Sequence, residues 1–335
     1  MKIYKHVLLV CLMDKKKILI FGGTGSLGYE LNKRYKNNNE IYNFSRDECK
    51  HWEMKLYFNS NPNINFVIGN IADRIIVDST IHRIKPDIII IASAMKHIDQ
   101  CEINTAESLK TNLLGTQNVL DSIEKGITNL TNLKTVVFIS SDKACSPINN
   151  YGMCKAISET LIIEKAHYIP SIKFVNVRYG NVLNSRGSII PLLHKIGNDI
   201  EKTHFTLTSD QMTRFVMTLE QSVDLIHYAI INGESGDIII PKLISMNVKD
   251  LIEIFSDKYN KPISITGLRS GEKLLESLIN DTQSGRIITC GDYTHIKSVI
   301  KYPNIINNDM KDYNSKINPL TRDELKDYLC SLKLI

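Results

Sequence analysis

The chain has 335 residues, of which 43% are hydrophobic, and its formal net charge is +5 at pH 7. This length exceeds the usual size of a single domain, so we expect one large core with a smaller lobe. The mild positive charge is spread along the chain without a basic arm or an aromatic-rich basic patch, so we predict no nucleic-acid partner.

The N-terminal residues 1–14 are predicted to be an extension outside the fold. Their apolar run, Val7 to Leu12, resembles part of a signal peptide, but no small-x-small cleavage site follows it before Asp14. The run is also too short for a membrane span, which needs about 20 apolar residues, so we expect no membrane association. We interpret the segment as dispensable, with Met13 as an alternative start.

The seven cysteines are scattered along the chain and lack C-x-x-C spacing. This pattern favours a reducing compartment and argues against a structural zinc site. We therefore expect a cytoplasmic protein without a bound metal.

The apolar run Lys17 to Phe21 predicts a buried parallel strand, which leads into a glycine-rich turn and then a helical stretch. Glycines at Gly22, Gly25 and Gly28 would permit a tight turn, close approach of a pyrophosphate, and close helix packing. The G-x-x-G-x-x-G spacing differs from the commoner dinucleotide fingerprint. A glycine cluster is more often a plain turn, but its position between strand and helix predicts dinucleotide binding.

The next predicted strand, Glu40 to Phe44, ends at the segment where the adenosine ribose of a dinucleotide would lie. A hydroxyl at Ser45 and a cation at Arg46 would suit a 2′-phosphate, which favours NADP. The neighbouring Asp47 would instead suit the 2′-hydroxyl of NAD, so NAD remains the less favoured alternative. Arg46 could also be an ordinary solvated turn residue.

Short apolar strands alternate with amphipathic stretches along the rest of the chain, at 65–68, 88–91, 135–139 and 174–177. This rhythm predicts an α/β fold, a Rossmann-type doubly wound parallel sheet with a smaller C-terminal substrate-binding lobe. We place the dinucleotide-binding domain at 15–180, with 216–241 returning to it. Residues 181–215 and 242–335 form the lobe and tail, with a surface loop at 304–318 and a final helix at 320–332.

The segment that follows the strand 135–139 concentrates proton-handling groups. Tyr151 and Lys155 are four residues apart and would share one face of a helix. An ammonium there would lower the pKa of the tyrosine and make it a usable general base. Ser141, Asp142 and Lys143 would converge on it from the strand end. The Tyr-x-x-x-Lys pattern occurs twice more in the chain, so its context must select this copy.

Further motifs occur in a fixed order from the first strand onward. They are Gly22 to Gly28, Ser45 to Glu48, Ala94 to His97, Thr111 to Asn112, Ser141 to Ala144, Tyr151 with Lys155, Arg178 to Val182, Ser185 to Ser188, Met212 to Phe215, and Arg269 to Leu274. Together they resemble the extended short-chain dehydrogenase/reductase superfamily and, within it, the soluble C5-inverting UDP-N-acetylglucosamine 4,6-dehydratases. The resemblance covers roughly residues 15–279.

The resemblance implies a tightly bound NADP that is regenerated in each turnover, UDP-N-acetylglucosamine as substrate, and a homo-oligomer. The cofactor-binding residues that it implies are Gly22, Thr24, Gly25, Ser26, Leu27, Gly28, Ser45, Arg46, Asn70, Ile71, Ala92, Lys96, Tyr151 and Lys155. The substrate-binding residues are Lys96, His97, Arg178, Asn181, Arg186, Arg214, Arg269 and Glu272. Each of these arginines could instead form a scaffold salt bridge.

Two positions depart from the family pattern. Asn70 stands where relatives usually carry Asp against the adenine amino group, and its carbonyl oxygen can accept the same hydrogen bond. Ser141 stands where relatives often carry Thr, which supplies the same hydroxyl.

The dipeptide Asp142-Lys143 distinguishes two activities within the superfamily. A sugar 4-epimerase needs only the Tyr, Lys and Ser/Thr groups, whereas a dehydratase also needs a base for the C5 proton and an acid for the departing 6-hydroxyl. We expect Lys143 to act as this base, Asp142 as this acid, and Ser141, Tyr151 and Lys155 to serve the oxidation at C4. The alternatives are a UDP-sugar 4-epimerase or reductase and, more remotely, a nonenzymatic NADP-binding regulator. Taken alone, Asp142-Lys143 would be a surface ion pair.

Overall fold

The structure is a computed structural model that describes residues 13–303 and 312–335. The expectations for residues 1–12, and for the first part of the loop at 304–318, lie outside the described residues. Within the described ranges, no helix combines the length and the apolar character that a bilayer crossing requires.

Short strands and helices alternate through most of the chain. The strands are β1 (Lys17–Phe21), β2 (Glu40–Ser45), β3 (Ile64–Ile68), β4 (Ile88–Ile91), β5 (Thr135–Ile139), β6 (Lys173–Val177), β7 (Asn181–Val182), β8 (Phe205–Leu207), β9 (Thr213–Met217), β10 (Ile238–Pro241), β11 (Ile244–Asn247), β12 (Ile263–Ile265), β13 (Ser277–Ile279), β14 (Ile287–Cys290), β15 (Tyr293–Ile296), β16 (Tyr313–Asn314) and β17 (Pro319–Leu320). The α-helices are α1 (Ser26–Tyr35), α2 (Glu48–Tyr57), α3 (Arg74–Ile84), α4 (Ile98–Ile103), α5 (Thr105–Leu109), α6 (Gly115–Lys125), α7 (Asn150–Tyr168), α8 (Ile189–Asn198), α9 (Leu219–Asn232), α10 (Val248–Tyr259), α11 (Asp281–Ser284) and α12 (Arg322–Ser331).

A nine-stranded sheet in the order β14-β15-β10-β6-β5-β4-β1-β2-β3 forms the centre of the protein. The strands from β10 to β3 in that order pair in parallel. The four isoleucines of β4 are all buried, because helices cover both faces of the sheet. The predicted Rossmann-type doubly wound fold is therefore confirmed.

Two apolar layers sandwich this sheet. On one face, α3, α6 and α7 pack through residues that include Ile81, Leu120 and Ile162. On the other face, α1 and α9 pack through Leu31 and Ile226. The strand order reverses between β1 and β4, and in such sheets ligands bind at the carboxyl ends of the strands beside this reversal.

A second lobe lies beyond β6. A four-stranded sheet in the order β17-β11-β9-β7 packs with α8, α10 and α12 around residues such as Phe205, Leu251 and Phe255. The return of 216–241 is seen in α9, which covers the main sheet, and in β10, which pairs with β6.

The expected extent of the second lobe needs one correction. Strands β14 and β15 fall in the range 242–335, yet they extend the main sheet, where β15 runs antiparallel to β10. Burial of Ile287 and Ile296 against Ile240 explains this placement, since the hairpin covers an otherwise open sheet edge. The tail loop is also not wholly irregular, because β16 within 304–318 pairs with β13.

Candidate active site

The glycine turn between β1 and α1 is shaped for close backbone contact. Gly22 has a φ of +88°, and a Cβ atom there would lie 2.8 Å from the Ser93 nitrogen. A Cβ atom on Gly28 would overlap the carbonyl group of Gly23, so Gly28 lets α1 pack against the turn. No side chain caps the N-terminus of α1. The turn therefore fits a pyrophosphate, which its backbone amides and the helix dipole would stabilise.

A cleft of about 1170 Å³ runs from this turn to the second lobe. It is lined by all of the residues predicted above for cofactor, substrate and catalysis except Gly28, Asp142 and Arg178. Gly28 lies beneath the turn, as its packing role requires. The structure thus gathers most of the predicted residues around one cavity. Among the described residues, no His, Cys, Asp and Glu side chains form a cluster that could hold a metal ion.

Tyr151 and Lys155 lie on the first turns of α7. The Asn149 side chain caps this helix by accepting a bond from the Gly152 amide at 2.8 Å. A Cβ atom on Gly152 would overlap the Lys143 carbonyl, so Gly152 allows α7 to approach the 3₁₀ turn Asp142–Ala144. Sequence reasoning missed Gly152, although its position beside Tyr151 was a signal.

The expected lowering of the tyrosine pKa is wrong for this structure. Burial raises the pKa of Tyr151 and the Asp142 charge raises it further, while a hydrogen bond with Ser141 opposes the rise. Burial also lowers the pKa of Lys155 to about 8. The Lys155 ammonium donates to the Ile139 carbonyl at 2.7 Å and lies 4.4 Å from the centre of the Phe138 ring.

Asp142 and Lys143 form a buried pair. Lys143 Nζ lies 3.0 Å from Asp142 Oδ1 and donates to Asn181 Oδ1 at 3.1 Å. Ser141 Oγ also donates to Asp142 Oδ1, at 2.8 Å. Only 14% of the Lys143 side chain is exposed, and none of Asp142, so the surface ion pair considered above is excluded.

The two members of this pair differ in their access to the cleft. Lys143 lines it, whereas Asp142 lies behind Lys143 and Ser141. The second carboxyl oxygen of Asp142, Oδ2, is buried and has no hydrogen-bond partner. The pair therefore presents the amine of Lys143 to the cleft, while the carboxyl group of Asp142 is buried behind it.

Arg178 does not reach the cleft, so its assignment to substrate binding needs correction. Its guanidinium donates to both carboxylate oxygens of Glu159, at 3.0 and 2.6 Å. It also donates to the Leu278 carbonyl at 2.7 Å and to the Gln283 side chain at 2.9 Å. The residue is completely buried. Arg178 is thus a scaffold residue that joins β6, α7 and the segment around β13.

Beside the cleft, at the end of β2, lies one residue that sequence reasoning missed, His51. The Ser45 hydroxyl is bonded to Thr24 Oγ1 at 2.8 Å and to Nε2 of His51, on α2, at 2.6 Å. Asp47 caps α2 by accepting from the Lys50 amide at 3.1 Å. Arg46 is more than half exposed, with its guanidinium 3.7 Å from Glu107. Arg46 is therefore better placed than Asp47 to meet a ligand.

At the neighbouring strand end, Asn70 has a local role. Its side-chain oxygen accepts a bond from the Ala72 amide at 3.0 Å, which stabilises the turn that follows β3. The residue still lines the cleft beside Ile71. Its expected contact with adenine would share this oxygen.

Three residues connect the second lobe to the glycine turn, and we call them the clasp: Ser26, Lys96 and Arg186. Lys96 Nζ donates to the Arg186 carbonyl at 2.6 Å, and the Arg186 amide donates to Ser26 Oγ at 2.9 Å. The Arg186 side chain approaches Tyr29 on α1 and counteracts the burial that raises the pKa of that tyrosine. Arg186 therefore lies on the cofactor side of the cleft as well as beside the lobe.

The remaining arginines come from the second lobe. Arg269 donates to Glu272 Oε1 from Nε at 3.0 Å and from Nη2 at 2.6 Å, and most of its side chain is exposed. Arg214 donates to backbone carbonyls, including that of Lys273 at 2.9 Å. Both line the cleft together with Asn181 and His97. This wall is basic and suits an anionic ligand.

Several known proteins resemble this chain in sequence or in fold. A family model described as polysaccharide biosynthesis protein matches residues 18–298. The chain is 35% identical over 315 residues to a UDP-N-acetylglucosamine 4,6-dehydratase (inverting) of Campylobacter jejuni, covering 92% of this chain and 89% of the relative.

It is also 35% identical over 345 residues to a UDP-glucose 4-epimerase of Rickettsia felis, covering 96% and 97% of the two chains. Among solved structures, Pen from Bacillus thuringiensis superposes with a TM-score of 0.86 at 33% identity, covering 96% of this chain and 99% of that one. The family match spans the main sheet, the cleft and most of the second lobe. The chain therefore belongs to the polysaccharide biosynthesis protein family.

Proposed function

We propose that the protein is a C5-inverting UDP-N-acetylglucosamine 4,6-dehydratase that uses NADP and forms a UDP-2-acetamido-2,6-dideoxy-hexos-4-ulose. One observation carries the proposal: Lys143, paired with Asp142, lines the same cleft as Tyr151. An epimerase has no need of an amine and a carboxyl group beside the tyrosine. Elimination of water across C5 and C6 needs both.

The glycine turn and the end of β2 would hold the dinucleotide, with Arg46 facing a 2′-phosphate. Once bound, it would supply reversible hydride chemistry, from C4 and later to C6. The clasp would retain it between these two stages, because it joins the lobe to the turn. This arrangement supports a cofactor that is regenerated in each turnover.

Tyr151 would remove the proton from O4, assisted by its hydrogen bond with Ser141, which lowers the pKa of the phenol. The Lys155 ammonium, one turn further along the same helix, would also favour the charged form of the phenol during the reaction. The resulting C4 ketone acidifies the hydrogen at C5. Lys143, as the neutral amine, takes that proton. Asp142, which does not line the cleft, would supply the acid proton through its hydrogen-bond partner Ser141: Asp142 gives a proton to Ser141 Oγ, and the Ser141 hydroxyl gives its own proton to O6 while the C6–O6 bond breaks and water leaves. When the hydride has returned to C6, a proton that derives from solvent would add to C5 on the opposite face and invert that centre.

The basic wall of the second lobe would bind the diphosphate of the substrate. Guanidinium groups of Arg214 and Arg269 suit a pyrophosphate, and Asn181 holds Lys143 at the sugar end. Arg186, Lys96, His97 and Glu272 complete the wall. The protein would work in the cytoplasm as a homo-oligomer.

A 4-epimerase acting on a UDP-sugar is the second candidate. The observation in its favour is that close relatives carry that name, including the Rickettsia felis protein. The same Tyr151, Lys155 and Ser141 would serve it, but Asp142 and Lys143 would then have no chemical task.

One experiment separates the two activities. The purified protein, supplied with NADP, is incubated with UDP-N-acetylglucosamine in D₂O, and the product is examined by NMR. A 4-keto-6-deoxy product with deuterium at C5 supports the dehydratase. Formation of UDP-N-acetylgalactosamine without C5 deuterium, or turnover of UDP-glucose to UDP-galactose alone, supports the epimerase. Lys143→Ala serves as the matched variant, since it should lose the C5 deuterium while cofactor binding persists.

A further inference from the structure

A second carboxylate, from the other lobe, lies against Lys143. Glu276 immediately precedes β13 and is only 2% exposed. Its Oε1 lies 3.8 Å from Lys143 Nζ, and its Oε2 lies 3.6 Å from Lys273 Nζ. Lys143 therefore lies between Asp142, on its own turn, and Glu276, on a distant segment.

The main chain, not the side chain, anchors this segment. The Glu276 amide donates to Ser315 Oγ at 3.0 Å, and the Glu276 carbonyl accepts from the Ser315 amide at 2.8 Å. Oε2 is buried without any hydrogen-bond partner. A buried carboxylate with an unpartnered oxygen costs free energy, so holding the strand in place does not explain it.

The charges around Glu276 come from several elements. Lys143, Lys273 and Arg214 face it as cations and Asp142 faces it as a carboxyl group. Asp142 in turn faces Tyr151 and Arg178. Burial raises the pKa of Glu276 and the Asp142 carboxyl group raises it further, while the three cations offset only part of that rise. Of these cations, Lys143 is the one that also contacts Asp142 and lies beside the tyrosine.

We propose that Glu276 is a positioning residue for the elimination step, which fixes Lys143 between the lobes and sets the pH at which this amine can accept a proton. The inference rests on the proposed dehydratase function. At 3.8 Å, the Glu276 carboxylate attracts Lys143 Nζ and so favours the ammonium form over the neutral amine. Once the C5 proton has been transferred, the same charge stabilises the new ammonium. Glu276 itself exchanges no proton and does not line the cleft.

The test is Glu276→Gln, which keeps the shape and removes the charge, assayed for 4-keto-6-deoxy product between pH 6 and 10. Loss of a carboxylate this close should move the ascending limb of the kcat profile to lower pH by about one unit or more. Maximal kcat should fall by about tenfold, the equivalent of about 1.4 kcal/mol. KM for the UDP-sugar should stay within about twofold, because uniform substrate binding is not removed.

Two further variants make the result specific. Ser315→Ala loosens the same segment but keeps the charge, so its ascending limb should coincide with that of the wild type. Lys273→Met removes the cation that competes for Glu276. Its limb should move the other way, to higher pH. This variant also keeps the test decisive should Glu276→Gln fail to fold.

The outcomes separate this inference from the proposed function. The role of Glu276 alone is overturned if the wild type places deuterium at C5 but the ascending limb of the kcat profile stays at the same pH in Glu276→Gln and in Lys273→Met. The role is also overturned if the ascending limb in Ser315→Ala moves as far as in Glu276→Gln, since a purely structural role would then explain both variants. A wild-type protein that only epimerises its substrate overturns the proposed function itself.

Discussion

The surroundings of two buried cations, Arg178 and Lys155, differ although Glu159 of α7 influences both. Arg178 donates four hydrogen bonds: one to each carboxylate oxygen of Glu159, one to the Leu278 carbonyl and one to the Gln283 side chain. Lys155 has the Ile139 carbonyl and the face of Phe138. Within the described ranges no ion pair involves Lys155.

This contrast distinguishes a charge that serves the scaffold from one that serves chemistry. Burial of an ion costs several kcal/mol unless bonds compensate for it, and Arg178, with an ion pair and four hydrogen bonds, is compensated far more than Lys155. The lowered pKa of Lys155 expresses the same deficit. A buried charge with too few partners is retained at a cost to folding, which is typical of functional sites.

The largest expected effect concerns Tyr151, which lies on the same helix as Lys155. Tyr151→Phe keeps the ring and its buried area but deletes the hydroxyl that must accept the O4 proton. Turnover should fall by about 10² to 10⁴, while thermal unfolding stays near that of the wild type. Product formation and an unfolding curve check this. Unfolding of the variant, or nearly normal turnover, would transfer the role to another tyrosine.

Lys155→Met should reduce turnover by about 10² to 10³ without loss of stability at pH 7. The folded protein carries a buried ammonium below the lowered pKa of about 8, whereas the unfolded chain stays protonated up to the ordinary pKa of 10.5. The wild type should therefore gain stability as the pH rises from about 8 towards 10.5, because the unfolded state then binds more protons.

Urea titrations at several pH values measure this gain. The difference in unfolding free energy between wild type and Lys155→Met should change across that window and be flat below it. A Lys155→Met protein that is clearly less stable at pH 7 contradicts the contrast drawn above.

Arg178→Met tests the other cation. It leaves the Glu159 carboxylate buried and unpaired, which should cost about 3–5 kcal/mol of unfolding free energy. The combined Glu159→Leu and Arg178→Met variant should recover most of that loss, since no unpaired charge remains. Chemical denaturation of both variants gives the values. Full stability of Arg178→Met would show that the ion pair is not part of the scaffold.

The smallest expected effect is on cofactor choice. Arg46→Ala should weaken NADP binding about tenfold and leave NAD binding unchanged, because an exposed cation facing a 2′-phosphate is screened by solvent and salt. Fluorescence titration of both dinucleotides at low and moderate salt measures the ratio. Equal affinities of the variant and the wild type for NADP would leave Arg46 as a solvated turn residue.

The parts of the site that depend on local spacing were predictable from the sequence. The glycine turn, the strand-end segment Ser45-Arg46 and the helical pair Tyr151 and Lys155 each lie within a few residues of a recognisable strand. The period of the apolar runs likewise predicted the doubly wound sheet, because strands buried on both faces have few polar residues.

What the sequence did not predict depends on partners from distant segments. No residue close to Arg178 in sequence indicates that its guanidinium will donate to Leu278 and Gln283. The sequence likewise gives no sign that Glu276 will approach Lys143. His51 is close to Ser45 in sequence, but its bond depends on how α2 packs beside β2. The pKa of Tyr151 was misjudged for a related reason, since full burial follows from the assembled fold and not from the four-residue spacing.

The clasp has a consequence for how the protein handles electrons. It joins the first loop of the second lobe to the glycine turn through Ser26 and to the loop after β4 through Lys96. Under the proposed function, a dinucleotide along that turn would lie beside these bonds, which would favour its retention between the two hydride transfers. The hydride taken from C4 would then return to C6 of the same sugar. Turnover would consume no reduced dinucleotide from the cell.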